Sequence, residues 1–277
     1  MKIDVAFSEV PAIYGPVHLI ILAVIVIGAV ISFFLLRKMR DRSLLVLLSA
    51  LGFLMIAAEI FKQWFVSRYV YPDFPSAWFF PWQFCSMAMY CSAVVLFLKG
   101  KAQDTVLVFL SSFSLLAALF ALGWPGDMMR PQILLFVHSF AYHAIMIIES
   151  IAAMLILTRK KKVPFYPAVI LFCCMAGIAE IVNLISHYAI GANGLESNMF
   201  NITPFYQPNM PVFSWIAQKV GIIPEILIYL AMIVLGSWLL YRAEYALLKN
   251  GKEPKKNDRT GSLESSSLRA QLQEPAD

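Results

Sequence analysis

The sequence contains few charged residues and few cysteines. Only 14% of its 277 residues are charged, whereas hydrophobic residues make up 60%. A soluble domain carries about 25% charged residues, so this composition excludes an ordinary water-soluble fold and favours a lipid environment. The four cysteines lack the paired spacing of a disulfide framework or a zinc site. The histidines form no HxxxH or HxxE motif within an apolar segment, so we expect no metal and no cofactor.

Seven apolar segments are long enough to cross a bilayer as helices. About 20 apolar residues span the hydrocarbon core, and a helix pairs the backbone groups within the segment. The predicted spans are residues 17–36, 44–66, 79–98, 105–123, 133–157, 167–190 and 221–241. The sequence therefore predicts an all-α, polytopic membrane protein with an N-terminal segment over 1–16, a seven-helix transmembrane domain over 17–241 and a polar, disordered tail over 242–277.

Basic residues are distributed unevenly between the two sides of this arrangement. On one side, residues 37–42, 99–101 and 159–162 and the C-terminal tail contain 17 of the 22 lysines and arginines. The positive-inside rule then places the N-terminus outside and the C-terminus in the cytoplasm. The positive charge is thus a topology signal and does not indicate nucleic-acid binding. The alternative for residues 159–162 is a patch that binds lipid headgroups.

Polar and ionisable side chains are concentrated in the outer half of the predicted membrane region. Such groups are costly in hydrocarbon and usually face a bundle interior or a cavity. Five helices contribute them, which predicts a cavity that opens outward. The candidate lining residues are Glu59, Lys62, Gln83, His138, Glu180, Asn183, His187, Asn198 and Glu225.

Spacing along the helices gives these candidates both structural and functional interpretations. Glu59 and Lys62 are three residues apart and can form an ion pair. Glu180, Asn183 and His187 share one helix face, which suits either hydrogen bonds between helices or the lining of a cavity. The long outer loop over 191–220 is a candidate lid or lining, because loops of this length are often functional.

A cysteine and two histidines are the candidates for chemistry. His138 and His143 are five residues apart, about 140° round a helix, so we expect only one of them in the site. His143 can act with Cys85, because a neighbouring histidine converts a weakly nucleophilic thiol into a good nucleophile. The alternative for Cys85 is simple packing, since cysteine behaves as a small buried hydrophobe.

An ordered set of short motifs resembles a known family. The motifs are Glu59-Ile-Phe-Lys62, Pro81-Trp-Gln-Phe-Cys85, Tyr142-His143, Asn183 and Asn198-Met-Phe-Asn-Ile-Thr-Pro with Pro208. Over about residues 40–240 the chain is similar to the YwaF-like seven-helix membrane proteins of bacteria, which resemble the animal transmembrane protein 164 family. The resemblance implies a multi-pass protein of a bacterial cytoplasmic membrane.

The resemblance also implies a catalytic pair. In the animal relatives, the catalytic pair is regarded as a cysteine that follows a proline and a histidine on a later helix. Those relatives are implicated in the transfer of polyunsaturated acyl chains between phospholipids and lyso-ether lipids. By motif these residues fall on Cys85 and His143. The sequence departs from the bacterial pattern at Gln83, where members often have a histidine. Membrane phospholipids and lyso-phospholipids are the implied substrates and partners.

Three classes of function are compatible with the sequence. The first is a lipid acyltransferase or hydrolase, in which Cys85 attacks an ester and His143 moves the proton. The second is a small-solute or ion-coupled transporter, whose path is lined by the charged residues of the outer half. The third is a membrane scaffold without catalysis, in which the polar residues connect helices.

Overall fold

Helices form most of the structure, a computed structural model that describes residues 6–72, 77–160, 163–191, 196–208 and 210–249. These residues contain no β-strand beyond an isolated bridge between Ala6 and Gln132. The α-helices are α1 (Pro16–Leu36), α2 (Asp41–Phe65), α3 (Met87–Val95), α4 (Gly100–Val108), α5 (Leu115–Gly123), α6 (Ile133–Arg159), α7 (Tyr166–Ala189), α8 (Pro211–Val220) and α9 (Ile222–Lys249). One π-helical turn extends α2 over Val66–Val70, and another joins α4 to α5 over Phe109–Ser114.

Six helical segments of the described chain are long and apolar enough to cross a membrane. They are α1, α2 with its π-helical turn, the joined α4 and α5, α6, α7 and α9. This confirms a multi-pass helical membrane protein. The third predicted span is not among the six, because α3 has 9 residues. At about 1.5 Å per residue, such a helix covers less than half of a hydrocarbon core about 30 Å thick.

The chain before α3 is irregular where the sequence predicted helix. Pro81 lacks a backbone N–H, and the residue before a proline avoids helical dihedral angles. Irregular backbone at membrane depth is tolerated only where protein buries it or where it lines a cavity. Side chains hold it here: Tyr90 Oη donates to the Pro81 carbonyl at 2.9 Å, and Trp82 Nε1 donates to the Met175 carbonyl at 3.2 Å.

Ion pairs bring the basic segments together at one end of the helix bundle, which we call the basic end. Arg159, the last residue of α6, lies 2.7 Å from Asp41 at the start of α2 and donates to the Arg37 carbonyl at 2.9 Å. Lys160 pairs with Asp104 in α4. The chain therefore leaves the basic end along α2 and is back there at the start of α4. Helix α3, in the stretch between them, packs against α2.

Helices α2 and α3 approach each other closely at Gly52. A Cβ atom at this position would lie 2.3 Å from the backbone nitrogen of Ala93, so a larger residue would force the helices to shift. One turn away, the Ser49 hydroxyl donates to the Ser92 carbonyl at 3.0 Å. Small residues that permit such close contact are typical of helix packing in membranes. This contact holds α3, and with it the preceding Cys85, against α2.

Two predicted boundaries differ from the structure. The predicted loop over 191–220 contains α8, an amphipathic helix that buries Phe213 and exposes Trp215. The predicted tail begins at residue 242, but α9 continues to Lys249 because the apolar periodicity of the helix runs past the first basic residue. The rest of the predicted tail, 250–277, lies outside the described residues.

Candidate functional site

A cavity of about 640 Å³ lies in the half of the bundle farther from the basic end. It is enclosed by α2, the segment before α3, α5, the first half of α6, and α9. Its volume is within the range of about 300–1,000 Å³ that is usual for small-molecule sites. Most of the wall is aromatic or aliphatic. The polar lining residues are Glu59, Lys62, Gln83, Cys85, Ser86, Asp127, Arg130, His138, Ser139, Tyr142, His143, Asn201 and Tyr229.

The cavity brings together some of the predicted site residues and leaves out others. The predicted residues that line it are Glu59, Lys62, Gln83, Cys85, His138 and His143. The two catalytic candidates, Cys85 and His143, are thus in one enclosure although they belong to different parts of the chain. The predicted lining residues that lie outside it are Glu180, Asn183, His187, Asn198 and Glu225.

Cys85 lies in the irregular segment, two residues before α3 begins. Its thiol is half-buried and forms no disulfide. Turn hydrogen bonds fix the backbone around it, from Ser86 N to Gln83 O at 2.9 Å and from Ala88 N to Cys85 O at 3.2 Å. The first turn of a helix stabilises nearby negative charge through its unpaired N–H groups. Burial disfavours the charged form of the thiol, so Cys85 needs a neighbouring base to become a nucleophile.

The hydrogen bonding of His143 leaves one ring nitrogen available as a base. Nδ1 lies 2.7 Å from the Ser139 carbonyl oxygen. A carbonyl oxygen only accepts, so Nδ1 carries the hydrogen, and Nε2 of the neutral ring holds the lone pair. Nε2 is buried and has no hydrogen-bond partner among the described residues. This tautomer can accept a proton inside the cavity.

Both histidines of α6 line the cavity, whereas their spacing predicted only one. The cavity extends round α6 and so reaches positions about 140° apart on the helix. The His138 ring stacks on Tyr142 with 5.7 Å between ring centroids. Its Nε2 is also buried without a partner in the part of the chain that the structure describes. Two imidazole nitrogens are therefore unsatisfied in this region.

Glu59 and Lys62 form the predicted ion pair at the cavity wall. Lys62 Nζ lies 2.7 Å from Glu59 Oε1, and Gln63 Nε2 donates to the same oxygen at 2.7 Å. Gln63 also donates to the carbonyl oxygen of Phe79, which ties the pair to the segment that carries Cys85. Glu59 is buried, and the pairing compensates its charge.

Arg130 also lines the cavity, although no motif or spacing distinguishes it from the other loop arginines. Its Nε donates to the Asp127 carbonyl at 2.9 Å, and its guanidinium lies 5.4 Å from the centre of the Phe79 ring. Within the described ranges no carboxylate pairs with it, so its terminal nitrogens are available. A guanidinium in this state can bind a phosphate or carboxylate through two parallel hydrogen bonds.

Asn183 and Asn198 hold a loop in place and do not face the cavity. Asn183 Oδ1 accepts from Met199 N at 2.6 Å and from Ser197 Oγ at 3.2 Å, while Nδ2 donates to Met199 O at 3.2 Å. Asn198 Oδ1 accepts from Thr203 N at 3.2 Å. We call Asn183, Ser197 and Asn198 the asparagine cluster. For Asn183 the structure therefore favours the hydrogen-bonding alternative over cavity lining.

The other three predicted lining residues lie in different surroundings. Glu180 lines a groove between α7 and α9. His187 Nδ1 lies 2.8 Å from Glu196 Oε2, and its ring stacks on Phe205 at a centroid distance of 3.6 Å. Glu225 is buried near the start of α9. The polar face of α7 thus points towards the loop that follows the helix. Helical spacing predicts which residues share this face but not the direction in which it points.

The cavity combines a thiol, two imidazoles, an ion pair and an unpaired guanidinium in an apolar enclosure. Such a set suits nucleophilic attack on an ester or thioester, with a histidine moving the proton. No group of three or more histidine, cysteine, aspartate or glutamate side chains that could hold a metal ion occurs in the described residues.

These features define a multi-pass helical membrane protein with a thiol and histidines in a cavity inside its helix bundle. A model of the TMEM164 family matches residues 13–242, and the chain belongs to this family. The match covers all of the cavity-lining residues. It confirms the transmembrane protein 164 part of the predicted resemblance and does not extend to the YwaF-like name. No curated protein and no solved structure matches the chain.

Proposed function

We propose that this protein is a lipid acyltransferase or lipid hydrolase with Cys85 as the nucleophile and His143 as the general base. One observation carries the proposal: both residues line the same cavity, where the unpaired Nε2 of His143 is available to accept a proton. The acyl-transfer activity implied by the resemblance to the transmembrane protein 164 family is consistent with this chemistry.

The first half of the reaction forms a thioester. His143 Nε2 removes the proton from Cys85 Sγ, and the thiolate attacks the ester carbonyl carbon of a phospholipid. The ester C–O bond breaks, and the leaving oxygen takes the proton back from His143. A lyso-phospholipid is released, and its acyl chain remains on Cys85. Since Nε2 has no partner among the residues that the structure describes, Sγ and Nε2 must first approach to hydrogen-bonding distance, as is common for apo sites.

The second half transfers the acyl chain to an acceptor. The acceptor hydroxyl gives its proton to His143 Nε2 while its oxygen bonds to the thioester carbon. The C–S bond breaks, and the sulfur recovers the proton from His143. A lyso-lipid acceptor makes the protein a transferase, whereas water makes it a hydrolase.

The surroundings of the cavity support a lipid substrate. Its wall includes Phe84, Leu116, Phe120 and Phe213, which belong to or adjoin membrane-spanning helices. An acyl chain can therefore stay in an apolar environment while its ester reaches Cys85. The guanidinium of Arg130 is suited to the phosphate of a phospholipid headgroup.

The proposed orientation places the N-terminus outside and the basic end in the cytoplasm of a bacterial cell. The clustering of Arg37, Arg159 and Lys160 at one end of the bundle supports it through the positive-inside rule. The segment before α3 then provides a seventh, shorter crossing, and the cavity lies in the outer half of the membrane.

Covalent trapping tests the proposed nucleophile. The purified protein is incubated in vesicles with a phospholipid whose ester-linked acyl chain is labelled, and the protein is then treated with hydroxylamine. We expect a hydroxylamine-sensitive label on wild type and on Cys91→Ala, and none on Cys85→Ala. Cys91 is a matched control because it lies on α3, is buried and does not line the cavity.

An equal label on Cys85→Ala and wild type would rule out this mechanism. Solute flux in proteoliposomes that requires Glu59 and tolerates Cys85→Ala would favour the transporter instead. Normal folding of both cysteine variants is checked by their elution volume and melting temperature in detergent.

A further inference from the structure

A second concave surface lies between α7 and α9. This groove has a volume of about 1290 Å³ and is lined almost entirely by apolar side chains, with Glu180 as the one charged lining residue within the described chain. Its rim includes the exposed residues Ile170, Ile223 and Leu235. Since α7 and α9 are both long enough to span the membrane, the groove opens towards the hydrocarbon of the bilayer.

Three phenylalanine rings separate this groove from the cavity. Phe84, next to Cys85, lines the cavity, and Phe172 lines the groove. Their ring centroids are 5.4 Å apart, and both rings contact Phe200, at 5.4 Å from Phe84 and 5.9 Å from Phe172. The wall between the two compartments is therefore about two aromatic rings thick at this point.

The loop segment 197–203 completes this wall. Asn201 lines the cavity, whereas its neighbour Ile202 lines the groove. Phe200 and Asn201 have φ values of 58° and 57°, a left-handed conformation that side-chain-bearing residues rarely adopt. Such strain persists only where the surrounding structure enforces it, and it is frequent at ligand clamps. Here the asparagine cluster enforces it through the hydrogen bonds to Met199 and Thr203.

The groove has the properties of a binding site for one hydrocarbon chain. It is apolar along its length and accessible from the bilayer, and Glu180 gives it a single charged position. A two-lipid transfer needs a place for the acceptor while the thioester occupies the cavity. A chain whose headgroup lies at the Glu180 end of the groove would place that headgroup near Ile202, the neighbour of the cavity-lining residue Asn201.

We propose that the groove between α7 and α9 binds the hydrocarbon chain of the acceptor lyso-lipid, and that Phe200 and Asn201 form the partition across which its hydroxyl reaches the thioester on Cys85. This inference rests on the proposed function. The hydroxyl proton passes to His143 Nε2, the oxygen bonds to the acyl carbon, the C–S bond breaks and the sulfur is reprotonated. The acylated acceptor leaves as a lipid with two chains, and the Cys85 thiol is regenerated.

Filling the groove tests this proposal. Gly177 lines the groove, and a Cβ at this position meets no atom within 4 Å, so the side chain of Gly177→Trp starts in open space and adds bulk to the groove. Gly28→Trp is the matched control, because Gly28 on α1 is equally unobstructed and lies outside the groove. Ala231→Trp fills the same groove from α9 and provides an independent test if Gly177→Trp does not fold.

The three variants and wild type are compared in vesicles with two probes. The first is a lyso-phospholipid with a diazirine in its acyl chain, whose crosslinks are located by mass spectrometry. The second is the labelled phospholipid, which reports both the thioester on Cys85 and the acylated lyso-lipid product. We expect wild type and Gly28→Trp to crosslink to α7 and α9. We expect Gly177→Trp and Ala231→Trp to lose crosslinking and transfer by at least about tenfold while they keep the thioester.

Specific outcomes overturn the inference. Crosslinks of wild type that avoid α7 and α9, or that persist in both groove variants, exclude the groove as the acceptor site. Loss of the thioester together with transfer in both groove variants shows that the donor lipid uses the groove, which contradicts its assignment to the acceptor. A wild type that crosslinks in the groove and never forms the thioester contradicts the proposed function and leaves only lipid binding in the groove.

Discussion

The cavity and the asparagine cluster both contain buried polar side chains at the same end of the molecule, but their hydrogen bonding differs. In the cluster, Asn183 uses both its oxygen and its nitrogen on Met199 and adds a bond to Ser197. In the cavity, the Nε2 atoms of His138 and His143 are buried without a partner among the described residues. Buried polar groups are normally satisfied, so satisfied groups indicate a structural role, and unsatisfied groups on residues that line a cavity indicate a site for a ligand.

The largest effect that tests this comparison is expected at His143. His143→Gln removes the base and keeps a polar side chain of similar size. General acid–base catalysis contributes about 10²–10⁴-fold, so we expect the rate of acyl transfer to fall by about that factor. The substitution removes one hydrogen bond, to Ser139 O, so the melting temperature should change little. Single-turnover formation of the thioester measures the rate.

A rate for His143→Gln within a factor of a few of wild type would remove His143 from the mechanism. His138→Gln is the comparison variant on the same helix and in the same cavity. If the roles were reversed, His138→Gln would be the slower of the two.

For Asn183 we expect the opposite of the His143 result, namely a loss of stability without a loss of thioester formation. Asn183→Ala leaves the buried N–H of Met199 without a partner, which costs about 1–3 kcal/mol. It also removes one of the two hydrogen bonds to the Met199 carbonyl, which keeps the one from Ile202 N, and this loss costs about 1 kcal/mol more. We therefore expect the free energy of unfolding to fall by about 2–4 kcal/mol. Chemical denaturation in mixed micelles measures it. The thioester should still form on the fraction of protein that remains folded.

His187→Ala is the matched control for this stability effect. His187 is on the same face of α7, but its contact with Glu196 is partly exposed to the surroundings. Such pairs contribute about 0–1 kcal/mol. Equal destabilisation by both variants would show that the cluster has no special structural role, and the distinction drawn from hydrogen bonding would fail.

Features that depend on local sequence were predictable. The six long helices follow from hydropathy, and the Glu59–Lys62 pair follows from a spacing of three residues on a helix. The pairing of Cys85 with His143 followed from their chemistry and from a resemblance and not from spacing, because the residues belong to distant parts of the chain. Local patterns fix helices and pairs within a helix, and they do not fix contacts between helices.

Features that depend on helix rotation and on irregular backbone were not predictable. Glu180, Asn183 and His187 share a face of α7, but only packing decides that this face turns away from the cavity. Pro81 marks a break in the third predicted span, yet the length of the irregular segment depends on hydrogen bonds from Tyr90 and Trp82. Arg130 reaches the cavity through a turn over Gly126–Met128 that carries no motif.

The smallest effect is expected at Arg130. Its guanidinium lines the cavity without a carboxylate partner in the described chain but takes no part in the proposed acyl transfer, so it tests whether an unpaired group there binds a ligand. Hydrogen bonds to charged groups contribute about 1.5–3 kcal/mol, so Arg130→Gln should raise KM for a phospholipid by about 10- to 150-fold. The kcat should stay close to that of wild type, because the bond to the headgroup is equally present in the ground state and the transition state. Arg130→Lys keeps the positive charge but loses the planar pair of donors, so its KM should lie between those of wild type and Arg130→Gln.

A diacylglycerol substrate separates headgroup binding from a general disturbance of the cavity. It presents the same ester without a phosphate, so its KM should be the same for wild type and Arg130→Gln. A parallel loss on both substrates, or a fall in kcat alone, would show that Arg130 supports the turn over Gly126–Met128 through its bond to Asp127 and binds no headgroup. An unpaired group at a cavity wall would then be structural, and hydrogen-bond satisfaction would not by itself distinguish the two kinds of residue.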